Sequence, residues 1–422
     1  MNRGITYMKK LIVSVLATSI VCAGITYLEP LLHSSTASQP PSVAYASSSS
    51  GNFKDVKGHW AEATIAKAYA MGLVQGYQDG TFRPNAKVTR AEYASLLTRA
   101  TKLGSGTGGS SFKDMKGHWA ESAVTRLSAL GFINNIDYSN GFKPNTELTR
   151  LEMMKWMSNG LVQSNTSFKQ AFEDTQNTLL PTPEATKGKI AKAQIPYLAL
   201  VRGTGIVGGF ADGSLQPEEP TTRAEVAAIL LRYIDIEGQE ASKYADLNEM
   251  REVGTTGTNL LTISNYKYTE GDFGKIMDTK MTLSNKSASL KLHHYIVIDA
   301  RNSKPRSVYS DLFIDPQKGL KSYQKGLFLT YADITFTTMT EYSNLSVNTY
   351  NNGLENSVIG INRPSDVDYI NKMGINTIAK DFNNFKVIGK TTSFWTESNI
   401  DANGTGYRLR VDNNNEVRFN NR

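Results

Sequence analysis

A single cysteine, Cys22, among 422 residues leaves no partner for an intramolecular disulfide, so stability has to come from core size and repetition. The five histidines bring no HExxH with them, and no G-x-S-x-G is present, which removes the zinc-peptidase and nucleophile-elbow signatures. The formal net charge is only +7 with the two signs interspersed, so the concentrated cationic stripe of a nucleic-acid binder is missing. Long apolar runs are also missing. LIVSVLATSIVCAGI (11–25) is short for a membrane span, follows the cations of MNRGITYMKK, and precedes the small-x-small pattern Ala44-Tyr45-Ala46. Residues 1–46 therefore read as a secretory signal cut after Ala46, leaving no mature membrane span, with an uncleaved anchor as the rival reading. Val21 before Cys22 argues against a lipid-attachment box.

What is abundant is repetition, and it has to be settled before any local reading. FKDVKGHWAEATIAKAYAMGLVQGYQDGTFRPNAKVTRAEYASLLTRA (53–100) is answered by FKDMKGHWAESAVTRLSALGFINNIDYSNGFKPNTELTRLEMMKWMSNG (112–160). A divergent third copy runs from Phe172 to Tyr233 with a short loop inserted. The units span 51–104, 111–165 and 168–237. Each reads as helix, turn, helix: Trp60, Ile65, Ala68 and Met71 lie near helical spacing, Asp79-Gly80 marks a turn, and Tyr93, Leu96, Leu97 and Ala100 give a second apolar face. One such hairpin cannot bury both faces, so the spacing predicts an all-α, pseudo-threefold bundle with grooves between units.

The second helix of each unit opens with a capping box: Thr89 with Glu92, Thr149 with Glu152, Thr222 with Glu225. Arg90, Arg150 and Arg223 then fall on the first helical position, where the helix dipole disfavours a cation by up to about 1 kcal/mol. Two readings explain a thrice-repeated misplaced charge. Free helix-terminal amides plus an arginine make an anion site; or the arginine bridges to Glu92, Glu152 or Glu225 of another unit.

With FKDV-GHWA, GLV-GY-DGTFRPN and TRAE-A-LL in order, residues 51–235 resemble S-layer homology domains. The resemblance implies a three-pronged spindle of helices that binds a secondary cell-wall polysaccharide of Gram-positive bacteria without a covalent link. In many members the recognised group is a pyruvylated sugar with a free carboxylate, which makes Arg90, Arg150 and Arg223 its expected ligands. Trp60 and Trp119, from the family's HWA motif, would stack on sugar rings or simply pack in the core. Ala193 takes that place in the third copy, so one or two competent grooves are expected. His59 and His118 read as loop or helix-cap residues. Self-association in a surface layer is a further partner the resemblance suggests.

After residue 250 the pattern alternates. NLLTISNYKY, DTKMTLSN, LKLHHYIVIDA, LFLTYADITFTTMT, FKVIGKTTSFW and YRLRVDNNNEVRFNN read as strands, so 251–422 is expected to be one mainly-β domain, a sandwich, with a helix near 366–380. His293 and His294, adjacent on a strand, should face opposite sides. Asp299, Asp311, Asp315, Asp333 and Glu341 could supply a carboxylate pair for glycoside hydrolysis. Asp401, Asn403, Thr405 and Asp412 have calcium-loop spacing, against which stand an Asp at position 12 and strand-like flanks that favour a hairpin turn. No cofactor motif is present. The expectation is an exported, non-enzymatic surface protein held to the wall by its repeats, the alternative a wall-anchored glycan hydrolase.

Overall fold

A computed structural model describes residues 53–104, 106, 109, 112–340, 346–354, 358–379, 385, 387–404 and 406–421. The expected signal at 1–46 lies outside them, as do Glu341 and Thr405. Among the described residues no helix is long and apolar enough to cross a membrane.

The first repeat contributes α1 (Glu62–Ala70) and α2 (Arg90–Ala100), the second α3 (Glu121–Ala129) and α4 (Arg150–Ser164). After α5 (Thr166–Asp174) and the short α6 (Pro183–Thr186), the third contributes α7 (Ile195–Gly203) and α8 (Arg223–Ile236). Each leading helix packs on the second helix of the repeat before it: α3 on α2, α7 on α4, and α1 on α8 to close the ring. The capping boxes form at all three second helices, Thr89, Thr149 and Thr222 each accepting the amide three residues on.

The all-α expectation is corrected at the centre of this ring. Just before each second helix the backbone is extended, and the three segments cross in antiparallel bridges pairing Lys87 with Thr222, Thr89 with Glu147 and Thr149 with Pro220. Val88 donates its amide to Thr221 O (3.0 Å), Thr221 to Leu148 O (2.9 Å) and Leu148 to Val88 O (2.8 Å), a closed triangle. Val88, Leu148 and Thr221 are buried, and buried amides need partners. With no room for a helix at the axis, each segment supplies the next one's acceptor.

Each loop between the paired helices is held by a carboxylate. Asp55 accepts the amides of Phe82 and Arg83 (2.8 and 2.7 Å), and Asp114 those of Phe142 and Lys143 (3.0 and 2.7 Å). Arg83, Lys143 and Gln216 all adopt left-handed backbone, a conformation that non-glycine residues keep only when their surroundings impose it. In the third repeat the holding carboxylate is Glu184, which accepts Leu215 and Gln216 (2.9 and 2.8 Å). Asp174, matched to Asp55 by the FEDT alignment, instead lies on α5 and pairs with Arg251 at 2.9 Å. The inserted material is thus a helix, which packs on α4 and α7.

The C-terminal region is consistent with the expected β domain, although helical turns interrupt it. After α9 (Ala245–Thr256) come two antiparallel sheets: β2-β3-β4-β5, from Lys280–Thr282, Ala288–Asp299, Phe328–Thr338 and Thr391–Ile400, and β1-β7-β6, from Lys267–Glu270, Glu416–Asn420 and Tyr407–Arg410. Helical turns interrupt them at Leu260–Ile263, Ser310–Phe313, Val347–Gly353 and Val367–Lys372. The first of these had read as strand; Glu252 draws it into a turn by accepting the amides of Leu261 and Thr262 (2.9 and 2.7 Å).

One face of the four-stranded sheet packs on the small sheet, and part of the other is covered by the helical repeats. Leu290, Leu292, Tyr295 and Val297 enter a core shared with the small sheet. Ile296, Ile298, Tyr331 and Trp395 join the core of the helical repeats. A one-residue bulge between Leu292 and His294 makes this switch in parity, so β3 turns even-numbered side chains to one face before it and to the other after it.

Candidate functional site: the inter-repeat grooves

The backbone at the head of each second helix is already occupied. Arg90 and Ala91 donate their amides to Thr146 O and Pro144 O (both 3.0 Å), Arg150 and Leu151 to Glu219 O and Pro217 O (2.9 and 2.8 Å), Arg223 and Ala224 to Ala86 O and Pro84 O (both 2.9 Å). The third amide goes to the capping threonine. The free amides expected of an anion-binding terminus are spent on holding the neighbouring repeat.

Two arginines meet the capping glutamate of the next repeat. Arg90 places Nη2 2.7 Å from Glu152 Oε1 and donates from Nη1 to Phe142 O at 2.9 Å. Tyr138 donates to the same carboxylate oxygen at 3.2 Å and accepts from Trp156 Nε1 at 2.9 Å. Arg150 lies 2.8 Å from Glu225 and donates from Nε to Leu215 O at 2.8 Å. Its side chain is only 6% exposed, and burial lowers its pKa against the pull of Glu225.

Arg223 breaks the cycle. It donates to Phe82 O and Gln75 O (2.8 and 2.7 Å), and among the described residues it has no carboxylate partner. Glu92, which the cycle would assign to it, is engaged through Oε2 with its own cap, Thr89.

Each guanidinium also faces an aromatic ring: Arg90 faces Tyr138 at 5.3 Å, Arg150 faces Phe210 at 4.8 Å and Arg223 faces Tyr77 at 5.0 Å. These rings were not singled out from sequence. Their signal was there, since GYQDG, DYSNG and GFADG carry an aromatic just ahead of each turn.

A groove lies where the repeats meet around Arg150. A cavity of about 220 Å³ is lined by Trp60, Arg150, Gly208, Phe210, Glu225 and Arg232, among others. Trp60 is 66% exposed, and Arg232 is exposed while donating one bond to Ile206 O at 3.0 Å. Trp119 is half-buried and packs against the helical core. Beside each tryptophan a histidine ring accepts a backbone amide, His59 from Ala61 and His118 from Ala120, both at 3.2 Å.

The other candidates are scattered. Asp299 is paired with Arg301 (2.9 Å) and Arg306 (3.3 Å), Asp315 with Lys318 (3.4 Å), and Asp311 lies at the start of the turn Ser310–Phe313. Asp333 faces His294 at 3.2 Å. In the calcium-spaced stretch, Asp401 accepts the Asn403 amide in a tight turn, while Asp412 turns to the amide and hydroxyl of Thr282. Among the described residues no three His, Cys, Asp or Glu side chains gather as metal ligands. The two adjacent histidines, expected on opposite faces, share one face because of the bulge.

Three stretches, 52–94, 111–154 and 188–227, match the family model for the S-layer homology domain. Among known proteins, an uncharacterized cell wall amidase of Bacillus anthracis is 29% identical over 36% of this chain and 29% of its own length. A cellulosome-anchoring protein of Acetivibrio thermocellus is 35% identical over 27% of this chain and 26% of its own. A surface-layer 125 kDa protein of Lysinibacillus sphaericus is 28% identical over 50% of this chain and 17% of its own. The chain thus spans less than a third of each of these relatives.

Proposed function

We propose that this chain, which carries three S-layer homology domains, is a surface protein of a Gram-positive bacterium, anchored without a covalent link to a pyruvylated secondary cell-wall polysaccharide. The observation that carries the reading is the groove of about 220 Å³ lined by exposed Trp60 and Arg232, with Arg150 at its floor clamped to Glu225. An aromatic face beside the exposed Arg232 guanidinium matches a sugar ring that bears a carboxylate. Relatives named for cellulosome anchoring, for the cell surface and for the S-layer support the same address.

Within this reading the arginines divide their work. Arg90 and Arg150 are committed to neighbouring carboxylates and act first as inter-repeat clamps. Arg223, with no carboxylate of its own, and Arg232, exposed in the groove, are the guanidinium groups that meet the ligand. Even two weak sites on a repetitive polymer give avidity beyond either alone. The C-terminal region is then a displayed structural or binding domain.

The test is cosedimentation of the full chain with cell-wall sacculi. Trp60→Ala, Arg232→Ala and Arg223→Ala should each weaken binding at least tenfold while leaving thermal unfolding within a few degrees of the parent. Undiminished binding by all three would overturn the assignment of these grooves.

A further inference from the structure

We propose that a second saccharide subsite lies on the four-stranded sheet, where the helical repeats stop covering it. A cavity of about 250 Å³ opens there, between Leu179 and Thr186 of the third repeat and Asp333, Asn376, Ser393 and Trp395 of the C-terminal region. It is smaller than the roughly 300 Å³ floor of drug-sized pockets, which suits a single sugar ring.

A chain of polar contacts leads from His293 to its wall. Asp278 is held in left-handed backbone beside this histidine, and its carboxylate contacts Nδ1. Nδ1 therefore carries a proton, and Nε2 lies 2.7 Å from the Thr335 hydroxyl. The Thr335 and Ser393 hydroxyls are hydrogen-bonded to each other at 2.8 Å. Ser393 thus brings a hydroxyl to the cavity wall.

Asp333 adds further acceptors. One of its oxygens meets His294 Nδ1 at 3.2 Å, and among the described residues the other has no partner. His294 in turn stacks on Trp395, with ring centroids 6.1 Å apart and planes at 8°. Asn376 spends its carbonyl on the Trp395 amide at 2.8 Å, leaving its side-chain amide exposed to solvent. No lysine or arginine lines the cavity.

The free Asp333 carboxylate oxygen repels anions and accepts from a ligand rich in hydroxyls, and the tryptophan edge and Leu179 supply the apolar contact that a sugar's C–H face prefers. The ligand class is therefore an uncharged hexose or N-acetylhexosamine ring. This chemistry is opposite to that of the arginine-lined grooves.

The probes are glucose, N-acetylglucosamine and glucuronate, followed by saturation-transfer NMR on the full chain. The two neutral sugars should bind with millimolar affinity and glucuronate at least tenfold more weakly. Asp333→Asn and Ser393→Ala should each reduce neutral-sugar binding at least fivefold, and Thr335→Val, which removes the hydroxyl bonded to Ser393, by two- to threefold. Arg223→Ala should leave neutral-sugar binding unchanged, which separates this subsite from the grooves. No neutral-sugar signal, a signal indifferent to Asp333→Asn and Ser393→Ala, or equal binding of glucuronate would each overturn the proposal.

Discussion

Replacing Arg90 by alanine removes a clamp between the first and second repeats. The side chain is 16% exposed, its partner Glu152 is 17% exposed, and the guanidinium also holds Phe142 O. Breaking a fully buried pair costs about 3–5 kcal/mol; residual solvent access reduces this to roughly 2–3. Relief of the helix-dipole penalty returns about 0.5 kcal/mol. The net expectation is a loss of about 2 kcal/mol in urea unfolding of the full chain, followed by tryptophan fluorescence. Glu152→Gln keeps an acceptor for the cap, so the pair Arg90→Ala and Glu152→Gln forms a double-mutant cycle with an expected coupling of roughly 1–2 kcal/mol. Arg223→Ala, which removes bonds to carbonyls and ring contacts but no ion pair, should cost less than Arg90→Ala. Strict additivity in the cycle, with coupling under about 0.3 kcal/mol, would show that the arginines are not clamps and that the repeated charge needs another cause.

Other expectations concern the core and its junction with the sheets. Gly160→Ala, although favourable by helix propensity, would bring a methyl group within 2.2 Å of Phe132 and 2.3 Å of the Tyr233 hydroxyl, so denaturant unfolding should show a loss of about 1–3 kcal/mol. Glu249, buried between α9 and the sheet, is bonded to Asn259 at 3.0 Å and Ser307 at 2.6 Å, and burial pushes its pKa up to about 7. The folded chain then holds this proton more tightly than the unfolded chain. Its contribution to stability should be greatest below pH about 4.5 and decline to its floor above pH about 7, by up to ~3 kcal/mol. Glu249→Gln should flatten that slope in stability measured against pH, and an unchanged slope would contradict the assignment. Thr222→Ala, which deletes the cap of α8, should lower stability by about 1 kcal/mol by the same unfolding assay.

Much of the helical region was legible because its signals are local. Thr and Glu three residues apart fix a helix start whatever surrounds them, and Arg90, Arg150 and Arg223 follow from that register. What the arginines touch was not legible, since Phe142 O, Leu215 O and Phe82 O are backbone acceptors in another repeat and carry no side-chain mark. Phe172 misled the alignment of the third repeat for a related reason: Glu184 performs the task of Asp55 with a longer side chain at a shifted position. In the sheet, alternation located β3 and β4 but gave no sign of the bulge that brings His293 and His294 to one face. Nor could it reveal that Ile296, Ile298 and Trp395 bury themselves against helices of the repeats. That shared core is also why binding is best measured on the full chain, since a fragment ending near residue 240 would expose this apolar surface.

The most direct test of wall anchoring is sedimentation of the full chain with sacculi before and after the pyruvyl groups are removed from the secondary polymer. Binding should be strong to native sacculi and fall at least tenfold on stripped ones, because the guanidinium groups lose their carboxylate partner. Equal binding to both would mean that the grooves recognise something other than a pyruvylated sugar.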